Sequence, residues 1–160
     1  GFRRLIEHNV ANDVITTSTF EQKFPKISLL TNQVVETSNQ IKIKETQYQW
    51  LENPQHSVLN VFNNYLASSI VTTCDINAME CNSSNYLSYS ETTISADAVD
   101  EYGNVSKQLV TTTDKYATYT NQLDTKFDAT ESWPSKVTSK TVTKSVSYLD
   151  TTANITNNTK

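Results

Sequence analysis

Residues 40–50, QIKIKETQYQW, decide the fold. Ile41, Ile43, Glu45, Gln47 and Gln49 alternate with Lys42, Lys44, Thr46, Tyr48 and Trp50. A period of two sends successive side chains to opposite faces of a β-strand. The isoleucines share one face while Tyr48 and Trp50 share the other, so a bulge or a change of buried side is expected near Glu45. Upstream, LTNQVVETSN reads as a second strand whose polar end, Ser38-Asn39-Gln40, suits a turn, so the two segments are predicted to pair as a hairpin.

Working outward, the pattern recurs. FRRLIEHNV and DVITTSTF are extended runs on either side of Ala11-Asn12-Asp13, a turn-forming spot. From Tyr65 onward come YLASSIVTTC, YLSYSETTISA, NVSKQLVTTT, YATYTNQLDTKF and SKVTSKTVTKSVSYL, rich in β-branched or aromatic residues and punctuated by Asp, Asn, Gly, Ser or Pro. In HSVLNVFNNYLAS, Val58, Val61, Phe62 and Tyr65 fall at helical spacing, but its valines and asparagines favour a loop leading into a strand. Gly103, the only glycine besides Gly1, precedes Asn104 between two strand runs. Glycine adopts positive φ without a Cβ penalty and asparagine tolerates it, so Gly103-Asn104 is predicted to turn a tight hairpin.

Composition agrees with an all-β chain. Thr and Ser make up about a quarter of the residues and alanine is scarce, which under-uses helix formers. At 36% hydrophobic and 19% charged, the 160 residues are too apolar for a disordered tract and too polar for a large core. We expect one all-β segment over residues 1–153 and a frayed tail over 154–160, which has nothing to bury. The net charge is −4, Arg3 and Arg4 are the only arginines, and the lysines are scattered. No basic stripe exists to hold phosphates, so nucleic acid is not an expected partner. No apolar run reaches the length of a transmembrane span, and GFRRLIEHNV lacks the apolar core of a signal peptide, as though cut from something longer. Cys74 and Cys81 are spaced to close a disulfide across a hairpin loop, without the paired spacing and histidines of a zinc site. Two cysteines alone leave both the bond and the compartment open.

The stretch DEYGNVSKQLVTTTDKYATYTNQLDTKFD resembles one unit of the Rhs/YD-repeat type: an Asp/Tyr turn, Gly-Asn-Val, a strand, a short polar turn and a returning Thr/Tyr-rich strand. GFRRLIEHN followed by TTSTFEQKFPKISLL is similar to the Gly-Phe opening and Phe-Pro segment of the B components of insecticidal toxin complexes and related virulence-plasmid B proteins. NQLDTKFDATESWPSKVTSKTVTK resembles their Thr-rich strand, Asp-containing loop, tryptophan and following strand. The resemblance runs from Gly1 to about Lys144. It departs where Ala11-Asn12-Asp13 and Asp114-Lys115-Tyr116 stand in place of glycine turns, and the loop between Cys74 and Cys81 has no counterpart.

The resemblance implies an extended, curved sheet of antiparallel β-hairpins, part of a secreted hollow shell that encloses a cytotoxic cargo. The implied partners are neighbouring shell segments, other toxin-complex subunits and the cargo. Thr/Ser/Tyr/Val strands suit a wall wetted on both faces. Open sheet edges invite pairing with another chain unless charges such as Lys42, Lys44, Lys140 and Lys144 blunt them, so self-association through the edges is expected of this segment.

No catalytic, cofactor-binding or metal-binding residues are expected. The only histidines are His8, at a strand end, and His56, in a loop after LENPQ, and neither sits in a nucleophile motif. One interior glycine leaves no room for a Gly-rich phosphate loop. Asp97, Asp100 and Glu101 form one carboxylate cluster and Asp124, Asp128 and Glu131 another; neither has the spacing of a calcium loop, and turn formation explains them better. Trp50 and Trp133 would stack on sugars if exposed, but ESWPS reads as a loop pinned by its ring and stiffened by Pro134. The sequons at Asn82, Asn104, Asn154 and Asn157 are expected by chance in so Asn/Ser/Thr-rich a chain. The alternative to a wall segment is a free-standing β-sandwich that binds glycans or adheres to surfaces through Trp, Tyr and Asn.

Overall fold

The computed structural model describes residues 2–53, 63–77, 81, 85–128 and 135–149. Within them nine strands run in chain order: β1 (Arg4–Asn9), β2 (Val14–Phe20), β3 (Leu30–Thr37), β4 (Lys42–Glu52), β5 (Asn64–Cys74), β6 (Tyr86–Thr93), β7 (Lys107–Asp114), β8 (Ala117–Phe127) and β9 (Val137–Tyr148). They form one open antiparallel sheet in the order β1 to β9, each strand paired with its sequence neighbours. The described strands therefore build a single layer and not two facing sheets. All nine coincide with segments whose alternation predicts strands.

The turns explain how a chain with one interior glycine makes so many reversals. Asp13, at φ +53°, and Gln40, at φ +64°, take the left-handed conformation in the β1–β2 and β3–β4 connections. Aspartate tolerates that region, and side-chain oxygens close both turns: Asn9 Oδ1 accepts from the Ala11 N–H at 3.1 Å and Thr37 Oγ1 from the Ile41 N–H at 3.2 Å. Asp114 closes the β7–β8 turn without positive φ: one of its carboxylate oxygens accepts hydrogen bonds from the backbone N–H groups of Tyr116 and Ala117, both at 2.8 Å. Side-chain oxygens thus stand in for the glycines missing from 11–13 and 114–116.

Register shows why the sheet stays thin. Leu5, Ser18, Gln33, Thr46, Val71, Ser90, Thr112, Tyr119 and Val146 are paired in succession across the whole sheet and so share one face. Most of that row is polar, and the polar groups satisfy each other sideways: Gln33 Nε2 donates to Ser18 Oγ at 3.2 Å, and the Ser90 and Thr112 hydroxyls lie 2.8 Å apart. The next row, Ile6, Thr17, Val34, Glu45, Thr72, Tyr89, Thr113, Thr118 and Ser147, points to the other face and is equally mixed. Neither face has the apolar density that would draw a second layer onto it.

Two details of β4 differ from expectation. Glu45 sits in regular pairing between Val34 and Thr72, and the irregularities fall toward the strand ends, opposite Val35/Glu36 and beside Gln49/Trp50. The change from Ile41 and Ile43 to Tyr48 and Trp50 needs no local kink, because both faces tolerate mixed residues.

Among the described residues the hydrophobic core cluster lies where the β6–β7 connection folds back. Residues 94–106 contain a short 3₁₀ turn, Ala96–Ala98, and an isolated antiparallel bridge between Val99 and Val105. Val99, 1% exposed, packs with Tyr65 and Ala67 of β5, and Ile94 and Val105 close the cluster. Burying a side chain of this size stabilises by about 1.5–3 kcal/mol. Gly103 therefore does not turn a tight hairpin joining β6 directly to β7. It closes a smaller loop inside this excursion, at φ +84°, with its N–H donating to the Asp100 carbonyl at 3.0 Å. The segment that includes the helical spacing at Val58, Val61 and Phe62 lies outside the described residues, as does the 154–160 tail.

Candidate functional site

The residues that suggested chemistry are dispersed. His8 Nε2 lies 3.4 Å from Asp13 Oδ1, and the Ser38 hydroxyl donates to Asp13 Oδ2. Hairpin geometry brings the three together, since His8 pairs with Ile15 next to the turn and the Ser38 backbone N–H donates to the Asp13 carbonyl. The order is wrong for a hydrolytic triad, which needs the imidazole between hydroxyl and carboxylate. Here the carboxylate is central, and the Ser38 hydroxyl with the neighbouring imidazole holds its pKa below the ordinary value. The arrangement ties two turns together at an exposed corner. His56 lies outside the described residues.

The first carboxylate cluster separates into turn-forming roles. Asp100 Oδ1 accepts from the N–H groups of Tyr102 and Asn104, and its Oδ2 accepts from Asn104 Nδ2, all within 2.9 Å. Asn53, 6% exposed, donates through Nδ2 to the Asp100 carbonyl at 2.6 Å, which fastens the end of β4 to the corner. Asn104, a sequon residue, is thus held by Asp100. Asp97 lies on the 3₁₀ turn, where the Ser95 hydroxyl keeps its carboxyl below the usual range. In the second cluster Asp124 accepts from Gln122 Nε2 at 2.8 Å and Asp128 pairs with Lys136 at 3.6 Å, while Glu131 lies outside the described residues. Among the described residues no three His, Cys, Asp or Glu side chains converge as metal ligands.

Trp50 is half-buried and donates through Nε1 to the Leu30 carbonyl at 2.8 Å, so its ring braces β3 against β4. Trp133, Pro134 and the sequons at Asn82, Asn154 and Asn157 fall outside the described residues. Cys74, 2% exposed, is bonded to Cys81, which settles the question that spacing left open. An open groove of about 480 Å³ lies beside the excursion, with Ser68, Thr93, Leu109, Glu91, Asp97 and Lys107 in its lining. Its walls hold both signs of charge and no aromatic ring.

What the structure does present in order is sheet edge. Lys42 and Lys44 sit on the interior strand β4, where Lys42 pairs with Glu45 at 2.6 Å, so neither blunts an edge as the sequence suggested. Lys140 and Lys144 do lie on an outermost strand. Every residue of β1 and of β9 is exposed, and no described strand covers the far side of either. Such a border displays unpaired N–H and C=O groups, which can bind an extended chain without side-chain chemistry. The signal in the sequence was the alternation of SKTVTKSVSY, which separates Lys, Val and Tyr from Ser and Thr; what it lacked was which strands end the sheet.

The fold and this geometry define an open, all-β, single-sheet protein. Comparison with family models, with curated proteins and with solved structures finds no match. No helix among the described residues is long and apolar enough to cross a membrane.

Proposed function

We propose that this chain is a non-catalytic structural segment of the β-sheet shell of a secreted toxin-complex B component, serving to wall off a cytotoxic cargo. One observation carries the reading: the nine described strands in chain order form a single open sheet whose faces are both mixed and whose two outermost strands no described strand covers. A sheet that buries little against a second layer gains stability mainly along its own plane, by adding strands at its edges. That is how a thin wall grows. The Rhs/YD-like spacing around Gly103 and the Phe24-Pro25 segment supports the same reading. The neighbours on either border would be further segments of the wall, and the cargo would meet one of its faces.

The test is to purify the gene product that carries this sequence from its source and image it by electron microscopy, with limited proteolysis in parallel. The expected result is a hollow particle with an enclosed polypeptide that resists protease until the shell is opened. A solid particle without internal density, digested uniformly, would overturn the proposal.

A further inference from the structure

We infer that the outer edge of β9 is a docking site for an extended acidic polypeptide strand, added antiparallel to the sheet with carboxylates opposite Lys140 and Lys144. The Leu149 N–H donates to the Tyr116 carbonyl at 2.8 Å, which fixes the phase of the β8–β9 ladder. In an antiparallel pair bonded and non-bonded positions alternate. Lys140, Val142, Lys144, Val146 and Tyr148 therefore turn their N–H and C=O groups away from β8, toward a side that no described strand occupies. Their side chains share one face, in the order cation, valine, cation, valine, tyrosine. From Ser139 to Ser147 the other face of β9 carries Ser139, Thr141, Thr143, Ser145 and Ser147, hydroxyls only.

Charge selects the occupant. Among the described lysines Lys42 and Lys136 alone have carboxylate partners, at 2.6 and 3.6 Å, and of the rest only Lys140 and Lys144 stand on an outermost strand. Lys140 and Lys144 stand beside Thr125 and Asn121 in register, and among the described residues neither makes an ion pair. A carboxylate on an added strand, directly opposite each lysine, would supply the missing partner. A second copy fits poorly. If β9 met itself antiparallel, each register with both lysines in the overlap would set lysines opposite or diagonal to one another. The β1 edge of a second copy is no better: the Phe20 N–H donates to the Arg3 carbonyl, so Arg4, Ile6 and His8 are the residues whose backbone faces outward there. Both borders thus disfavour their own kind and favour an acidic strand, with valine or another apolar residue between its acids to meet Val142 and Val146.

This inference rests on the open edge and not on the enclosure of a cargo, so the two can fail separately. The probe is a labelled peptide of about nine residues, threonine alternating with valine and glutamate in turn, long enough to span a typical strand. Its binding to the full chain is read by fluorescence anisotropy, against the same peptide with lysine for glutamate. The glutamate peptide should bind at least about tenfold more tightly, with the difference shrinking as salt rises. The K140E/K144E double variant should reverse the preference. Val142→Pro should abolish binding while leaving the circular dichroism spectrum intact, because the N–H it removes faces outward and not toward β8. Equal binding of both peptides, an unchanged preference in K140E/K144E, undiminished binding in Val142→Pro, or a dimer in sedimentation velocity that Val142→Pro dissolves and the glutamate peptide does not, would each overturn it.

Discussion

A Cβ placed on Gly103 would lie 2.8 Å from Nδ2 of Asn63, closer than side-chain contacts allow. Asn63 in turn accepts, through its carbonyl, the N–H of Asn53 at 2.8 Å, and Asn53 holds the Asp100 carbonyl. Gly103 thus meets two demands at once: a φ of +84° and room for a neighbouring amide.

Gly103→Ala should destabilise the fold by about 2 kcal/mol, combining left-handed backbone strain with displacement of Asn63. Adding Asn63→Ala should recover the steric part and leave the backbone part. Urea denaturation measures both; a Gly103→Ala variant as stable as the parent would show that the corner does not need its glycine.

Trp50 offers a cleaner separation of packing from hydrogen bonding. Trp50→Phe keeps an aromatic ring between β3 and β4 but leaves the Leu30 carbonyl without its indole donor. A loss of about 1 kcal/mol is expected, whereas Trp50→Ala should cost about 3 kcal/mol by removing the ring as well. If both variants lost the same amount, the hydrogen bond would be the whole of the residue's contribution.

Much of this architecture was legible in the residues. The period of two in 40–50 and in the segments after Tyr65 reports a local property, backbone extension with alternating faces, and all nine strands follow it. Pairing was legible too at β1–β2, β3–β4 and β7–β8, where short polar turns leave adjacent strands little choice but to pair. Three features were not, each set by contacts far apart in sequence. The fold-back of 94–106 depends on Val99 finding Tyr65 and Ala67. The bulge positions in β4 depend on its partners β3 and β5. The division of the lysines into interior and edge residues depends on where the sheet stops. The grouping of His8, Asp13 and Ser38 was hidden for the same reason, since it joins two different turns.

The Cys74–Cys81 bond closes a short loop, with a sequence separation of 7. Loop-closure entropy for so small a ring gives a stabilisation of about 2 kcal/mol. Reduction with a strong thiol reagent, or a Cys74→Ala/Cys81→Ala variant, should lower stability by that amount in urea melts without unfolding the rest of the sheet. A collapse of the whole circular dichroism signal on reduction would mean that the bond holds far more than its own hairpin.

Glu45 gives the sheet an acid-sensitive seam. The Lys42 ammonium bonded to its carboxylate, helped by the Gln47 and Asn32 amides, keeps its pKa below the ordinary 4.5 against the opposing effect of partial burial. With the folded-state value lowered, the unfolded chain binds more protons in that window, so stability rises with pH there. The contribution is fully present above the ordinary carboxylate value and disappears as pH falls through the depressed one. Glu45→Gln should therefore flatten the stability profile below pH 4.5, as should Lys42→Met. A parent-like acid slope in Glu45→Gln would assign the sensitivity to other carboxylates.

Lys140 and Lys144 are the only charges on β9, a strand of 12 residues exposed along its whole length. A long edge of Val, Thr and Ser that no described strand covers is a template for indiscriminate pairing, and charged side chains are the usual guard against it. Replacing both lysines by threonine keeps β-propensity and removes the guard, so light scattering should rise at a lower protein concentration in K140T/K144T than in the parent. High salt should move the parent part of the way toward the variant by screening the same charges. The matching replacement of Lys42 and Lys44, on interior β4, should leave the scattering threshold unchanged even where it lowers stability, because their strand is already paired on both sides. An equal effect from both pairs would show that net charge, and not position on the border, keeps the chains apart.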